Sequence, residues 1–229
     1  KTLLNHLNIF QASLVSLHAH NEEQQSRVLV NLIEGGTDVA VICDAGTPLI
    51  SDPGFTLVRS AWRVGIKPIP VPGASSLTAA LSISPLPLND CQFVGFLPSK
   101  SEMCRNRVKP LLRSGSSSIF FESARRFPRT ITILIELGAG DRSLFVGREL
   151  TKKHESVYWG KPKEVLSEIR QDDGLRGEFV CILEGQSDSE SEFDTVLEVL
   201  LAGLSPAQAS RLAAKLTGST KRKVYQRAI

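Results

Sequence analysis

The sequence predicts an α/β protein, and three observations predict it. β-branched runs alternate with helical stretches through most of the chain. Two of these runs end in polar, glycine-containing loops that lead into helices. The 229 residues are 41% apolar, enough to bury a sizeable core in one large or two ordinary domains with a small appendage.

The chain opens on a helical stretch, Lys1 to Leu7, with no strand and no methionine before it, so a further segment upstream is expected. Val39-Ala40-Val41-Ile42-Cys43 is a continuous β-branched-rich run that predicts a buried strand, ending at Asp44-Ala45-Gly46-Thr47-Pro48. Ser51-Asp52-Pro53-Gly54 places a capping residue ahead of a proline suited to a first helical turn, and the helix is predicted to about Gly65. Lys67 to Val71 predicts the next strand. Pro72-Gly73-Ala74-Ser75-Ser76 makes a second tight loop, with Ser75 or Ser76 placed to cap a helix from Leu77 to Ile83. Pro85-Leu86-Pro87 breaks the pattern and marks the end of a first domain over residues 1–88.

A second domain, 89–186, carries predicted strands at Gln92 to Phe96, Ser118 to Phe121, Leu144 to Gly147, Ser156 to Trp159 and Phe179 to Leu183. Helices are predicted at Glu102 to Arg113, Arg125 to Leu137 and Lys163 to Gln171, with Pro110 and Pro128 weighing against two of them. Residues 187–229 form the appendage. An acidic, serine-rich linker comes first, and then Ser205-Pro206 opens a helix with Ala209, Leu212, Ala213 and Leu216 at helical spacing. Thr217-Gly218-Ser219 ends it before a second helix from Thr220. From Ser205 to Ile229 there are six lysines and arginines and no acidic residue. The pattern is that of a helix-turn-helix, and its one-sided charge favours nucleic acid; an amphipathic pair packed on the body has the same spacing.

Several classes are disfavoured. A net charge of +3 neither demands nor excludes a polyanionic partner. The four cysteines form no C-x-x-C pair, which argues against a zinc site or a disulfide framework. His18 and His20 have no third ligand, so no metal is expected. No apolar run is long enough for a bilayer and no signal sequence opens the chain, so a cytoplasmic protein is expected. Neither Gly-x-x-x-x-Gly-Lys-Ser/Thr nor Gly-x-Gly-x-x-Gly is present, which argues against ATP or NAD.

In open α/β sheets, ligands sit where strands end, because loops and helix N-termini there present free backbone N–H groups. Asp44 to Pro48 and Pro72 to Ser76 fall at such ends and suit a nucleotide-like ligand with a hydroxyl pair and a carboxylate; ordinary tight turns have the same spacing.

Asp44-Ala45-Gly46-Thr47-Pro48-Leu49-Ile50-Ser51-Asp52-Pro53-Gly54, Val71-Pro72-Gly73-Ala74-Ser75-Ser76 and Gly95-Phe96-Leu97-Pro98-Ser99-Lys100 follow one another as motifs. Phe120-Phe121-Glu122-Ser123-Ala124-Arg125-Arg126, Arg148-Glu149-Leu150-Thr151-Lys152 with Glu155, and Gly177-Glu178 before Leu183-Glu184-Gly185 continue the order, with His18-x-His20-Asn21-Glu22 near the start. Together they resemble the tetrapyrrole-methylase superfamily, and more narrowly its ribosomal RNA branch. The resemblance runs through Gly185. It implies two α/β domains with S-adenosyl-L-methionine in the cleft between them, a homodimer as the usual assembly, and 2′-O-methylation of a cytidine in the decoding region of small-subunit (16S) rRNA, free or in a 30S-type subunit. The family's opening strand with its Pro-x-Pro-Ile-Gly-Asn-Leu loop and its Ala-Glu-Asp-Thr-Arg motif are not in this sequence. A chain without that loop would bind cofactor or RNA poorly, unless it belongs to a longer protein.

By the same resemblance, Asp44, Ala45, Gly46, Thr47 and Pro48 with Ser75 and Ser76 are the expected cofactor contacts. Glu184 and Gly185 are expected near the adenosine or in a plain turn, and Asp52 as a functional carboxylate or a helix cap. Methyl transfer to a ribose hydroxyl requires that oxygen to be aligned and its proton removed. Glu122, Glu149, Lys152 and His154 are the candidates, as a carboxylate or as a lysine of depressed pKa; salt bridging among Arg148, Glu149 and Lys152 is the plainer meaning. Lys100, Arg105, Arg107, Arg125, Arg126, Arg129, Arg148, Lys221, Arg222 and Lys223 are expected phosphate contacts, or solvated helix faces. Two rival readings stand beside this one: a methylase of a tetrapyrrole or other small molecule, and a non-catalytic RNA-binding protein that kept the fold.

Overall fold

The computed structural model describes residues 2–186, 196–217 and 221–228. By mutual contact the chain forms two units, divided after Ser75.

The first unit holds α1 (Thr2–His6), α2 (Glu22–Glu34) and α3 (Phe55–Arg63). Leu29 and Val30 of α2 pack on Leu57 of α3, with Leu17, Val39 and Val41 against them. The runs 39–43 and 67–71, expected as strands, pair with no neighbouring strand among the described residues. Backbone ladders, more than β-branched side chains, make a strand, and here Ile42, Ile69 and Val71 stand exposed.

The start of α3 also departs from expectation. Its N-cap is Gly54, at φ 131°, and neither Ser51 nor Asp52 caps it. Glu22 Oε1, from α2, instead accepts the Gly54 and Thr56 N–H groups at 3.0 and 2.8 Å. The Thr56 N–H holds the Glu22 carboxyl below its ordinary value of 4.5, against burial that raises it, and the Gly54 N–H adds to the lowering. A depressed folded pKa contributes stability above the unfolded value and loses it as pH falls through the folded one. Glu22→Ala is therefore expected to cost about 1 kcal/mol in urea unfolding at neutral pH, with the gap to wild type narrowing in acid below the ordinary carboxylate range. A gap independent of pH would show that the cap does not act through the charge.

The second unit is built on a five-stranded sheet of β1 (Cys91–Phe96), β2 (Ser117–Ser123), β3 (Leu144–Arg148), β4 (Ser156–Gly160) and β5 (Glu178–Leu183), in the order β1-β2-β5-β3-β4. Only β1 and β2 run parallel; the other pairs are antiparallel. β5 alternates strictly. Phe179, Cys181 and Leu183 enter one core and Val180 and Ile182 the other, so the central strand is buried on both faces. Helices α5 (Ser101–Arg113), α6 (Phe127–Leu134) and α7 (Pro162–Gln171) cover the first face, and α4 (Ser76–Ile83) covers the second through Leu77, Ala80 and Leu81. Pro128 sits in the first turn of α6, where its missing N–H costs nothing, and the expected continuation to Leu137 becomes a widened turn over Ile135–Ala139 with Gly138 at φ 94°.

At the chain's end, helical residues 196–201, α8 (Pro206–Thr217) and α9 (Lys221–Ala228) share a core of Leu197, Ala209, Ala213 and Val224. Ser205 and Gln208 bond each other at the start of α8, as in a capping box. The expected apolar stripe is narrower than its spacing suggested. Ala209 and Ala213 are buried, whereas Leu212 and Leu216 are exposed, because close helix contact at the small residues carries their larger neighbours past the seam. The acidic linker over 187–195 lies outside the described residues.

Candidate active site

In the first unit, the loop after residue 43 is shaped from within. Cys43 Sγ donates to the Ala45 and Gly46 carbonyls at 3.3 Å each. Burial, then the nearby Asp52 charge, pushes the Cys43 thiol up, which keeps it a neutral donor. Thr47 Oγ1 donates to the Ala74 carbonyl at 3.1 Å, and so ties Asp44–Pro48 to the loop that ends in Ser75. Asp44, Ala45, Gly46 and Thr47 are exposed, Pro48 and Ser75 half-buried. Ser76, in the second unit, is the first residue of α4.

Glu122 lies near the end of β2 and is fully buried. Its carboxylate accepts from Thr130 Oγ1 at 2.7 Å and from the Ser123 N–H at 2.8 Å, and pairs with Arg126 Nε at 2.6 Å. Arg126 Nη1 then donates to the Leu97 carbonyl at 3.1 Å, and Arg129 Nη1 to that of Ser99. Two arginines thus clamp the segment 96–100 by its backbone, and Glu122 neutralises one of them. Arg105 pairs with Glu136. Lys100 and Arg125 have exposed side chains and no ion pair among the described residues.

Beyond β3 the backbone takes left-handed conformations at Glu149 (φ 49°) and Thr151 (φ 68°), unfavourable for residues with side chains and held here by specific bonds. Glu149 N–H donates to the Glu178 carbonyl, and Glu149 Oε1 accepts the Glu178 N–H, both at 2.9 Å. Lys152 Nζ bridges Glu149 at 2.9 Å and Glu178 at 3.1 Å. Arg148 Nε donates to the Arg176 carbonyl and its Nη1 to that of His154. Arg148, Glu149 and His154 line a cavity of about 400 Å³ with Asp172, Asp173, Arg176 and Gly177.

Burial works to raise the Glu149 carboxyl, but the Lys152 and Glu178 bonds and the charges of Lys152 and Arg148 outweigh it and hold it low. Burial likewise works to lower Lys152, and its bonds to Glu149 and Glu178 outweigh that and hold it high. The Lys152 shift is the reverse of the depressed pKa a lysine base requires, because two carboxylates face the ammonium. Glu178, Asp172, Asp173 and Arg176 were not among the expected site residues. The Gly177-Glu178 motif was the signal for the first of them, and nothing in the sequence marks the other three.

Glu184 and Gly185 follow β5. Glu184 Oε2 accepts the Ser143 N–H at 3.2 Å, and the Gln186 N–H donates to the Ser114 carbonyl at 3.0 Å. Gly185 lies so close to 115–116 that a Cβ there would meet the Gly115 carbonyl oxygen at 1.9 Å. Lys221, Arg222 and Lys223 fall in α9, with their side chains outside the described part of the structure. Among the described residues, no group of histidine, cysteine and acidic side chains could hold a metal ion.

A mixed sheet covered on both faces makes the second unit an α/β layer structure, and in the first unit two loops are tied together. The chain belongs to the family described as Tetrapyrrole (Corrin/Porphyrin) Methylases, which it matches over residues 2–166. Residues 187–229 match the RsmI C-terminal HTH domain. A Ribosomal RNA small subunit methyltransferase I of Xylella fastidiosa is 39% identical over 230 residues, 98% of this chain and 84% of the relative. Relatives of the same name from Pseudomonas aeruginosa and Escherichia coli O157:H7 are 37% and 35% identical, covering 99% of this chain in each case and 83% and 81% of their own length. The crystal structure of uroporphyrin-III-C-methyltransferase from Thermus thermophilus superposes with a TM-score of 0.53 at 20% identity, over 78% of this chain and 76% of that one. The expected superfamily and fold class are borne out.

Proposed function

We propose that this chain transfers a methyl group from S-adenosyl-L-methionine to the ribose 2′-oxygen of a cytidine in the decoding region of small-subunit rRNA, acting as a homodimer in the cytoplasm. The observation that carries this reading is likeness over nearly the whole chain to relatives named for small-subunit rRNA methylation. A helix-turn-helix match beside the body and a basic tail support a polynucleotide substrate over a macrocycle. No described helix is long and apolar enough to cross a membrane.

The residues present fit the cofactor. A Cβ added at Gly46 or Gly73 would meet nothing within 4 Å, so both tied loops leave room beside their backbone. Asp44 is an exposed carboxylate suited to a hydroxyl pair, and the backbone of Ala45 to Pro48 with Ser75 and Ser76 suits the amino-acid end. Glu184 and Gly185 brace the end of β5 against Ser143 and residues 115–116. The cofactor supplies a methyl group on a positively charged sulfur. Glu149, held ionised, accepts the hydrogen bond that orients the ribose hydroxyl and receives its proton as the new C–O bond forms, and Lys152 fixes that carboxylate in place. Glu122 acts only through Arg126, being buried. Lys100 and Arg125 contact phosphate, with the basic residues of α9.

The test is methyl transfer from labelled S-adenosylmethionine to small subunits that lack the modification. Label on a cytidine 2′-oxygen is expected. Cofactor binding without transfer would point to a small-molecule substrate, and no cofactor binding would point to an RNA-binding protein without catalysis.

A further inference from the structure

Strand β1 carries two exposed aromatic rings that the core does not use. Phe93 is 39% exposed and Phe96 47%. Residues three apart on a regular strand point to opposite faces. Here the pairing of β1 with β2 shifts register between Phe93 and Phe96, and Gly95 takes φ 67° in the irregularity. Both rings consequently meet the same partner, Phe121, edge to face, with centroids 5.0 and 5.5 Å away.

The Arg126 guanidinium lies 5.8 Å from the centre of the Phe96 ring. The Glu122 pair and the Leu97 carbonyl hold it there. Between Cys91 and Ser101 and between Ser123 and Arg129 there is no acidic residue, while Lys100 and Arg125 are exposed cations with no ion pair among the described residues. A ring fixed from behind, open in front and set among cations has the chemistry that receives an unpaired base of a polyanion.

We propose that Phe96, with Phe93 beside it, is a stacking platform for an unpaired nucleobase of the RNA substrate; this rests on the reading that the substrate is RNA. The Gly95 irregularity brings the rings together, Arg126 backs Phe96, and Lys100 takes the neighbouring phosphate.

Stacking and phosphate contact separate experimentally by salt. Binding of the full chain to a short fluorescein-labelled oligocytidylate and to unmodified small-subunit rRNA is measured by anisotropy over a range of salt concentrations. F96A is expected to weaken both about tenfold at every salt concentration. F96W should bind like wild type and F96L like F96A, since only a flat π-face serves. K100A should instead reduce the slope of log affinity against log salt by about one. The exposed ring contributes little to the core, so all three Phe96 variants should melt close to wild type. Wild-type affinity in F96A, or full affinity in F96L, overturns the platform. Loss of self-association in F96A with RNA affinity unchanged overturns it in favour of a second copy of this chain. No RNA binding by the wild type fails the RNA reading itself, and the platform with it.

Discussion

Glu122→Ala is expected to lower the free energy of unfolding by about 3–5 kcal/mol, because it strands a half-buried guanidinium. The carboxylate is fully buried, and the Arg126 side chain is 18% exposed. Removing one side of such a pair leaves the other charge without its partner in a medium that solvates it poorly, and Thr130 loses its acceptor as well. Glu122→Gln keeps an oxygen for one bond and the volume of the side chain, so it should fall between. Urea unfolding reads the effect as a lower midpoint at unchanged slope. A loss below about 1 kcal/mol would mean that the carboxylate is not there for stability, and its expected place among the catalytic candidates would regain weight. Folded Glu122→Gln protein separates the two roles further: a positioning residue that acts through Arg126 and segment 96–100 should weaken RNA affinity, with cofactor affinity unchanged.

Gly185→Ala is the second large effect. The added carbon would run into the backbone of one neighbouring segment: the Gly115 oxygen at 1.9 Å, its carbonyl carbon at 2.6 Å and that of Ser116 at 2.7 Å. No side chain can swing away, so the chain after β5 must move and the Gln186–Ser114 bond must lengthen. A cost of about 3 kcal/mol is expected, equivalent to a fall of roughly 10 °C in Tm for a protein of this size. Calorimetry decides it. An unchanged Tm with weakened cofactor binding would assign Gly185 to the cofactor directly.

These two positions show what could be read in the sequence. All five strands of the second unit were legible within a residue or two, because the central ones are apolar on both faces and turn residues bound them. The first unit was less legible. Runs 39–43 and 67–71 have strand composition, but a ladder depends on a neighbour that local sequence does not specify. The α3 cap was misplaced for a related reason, since Glu22 reaches it from 32 residues away while Asp52 stands close by in sequence. In the candidate site, spacing left both loops open to a reading as plain turns and the family resemblance made them cofactor candidates, but neither showed the Thr47–Ala74 bond that ties them. Charge counting found the arginines without telling which are consumed internally. Arg105, Arg126 and Arg148 each have a partner in the fold, and Lys100 and Arg125, equally basic in sequence, have no ion pair among the described residues.

The strand order has a consequence for how the protein is made. β5 is the last strand of its sheet to be synthesised, yet it lies between β2 and β3, with β1 beyond one and β4 beyond the other. Until residue 183 has left the ribosome, the growing chain holds two separate half-sheets, each with an apolar edge waiting for the same missing strand. Closure then joins residues far apart in the chain in a single late step. A pause in translation just before β5 would prolong the interval in which those edges are open to chaperones or to neighbouring nascent chains, whereas a pause after it would find the sheet already closed.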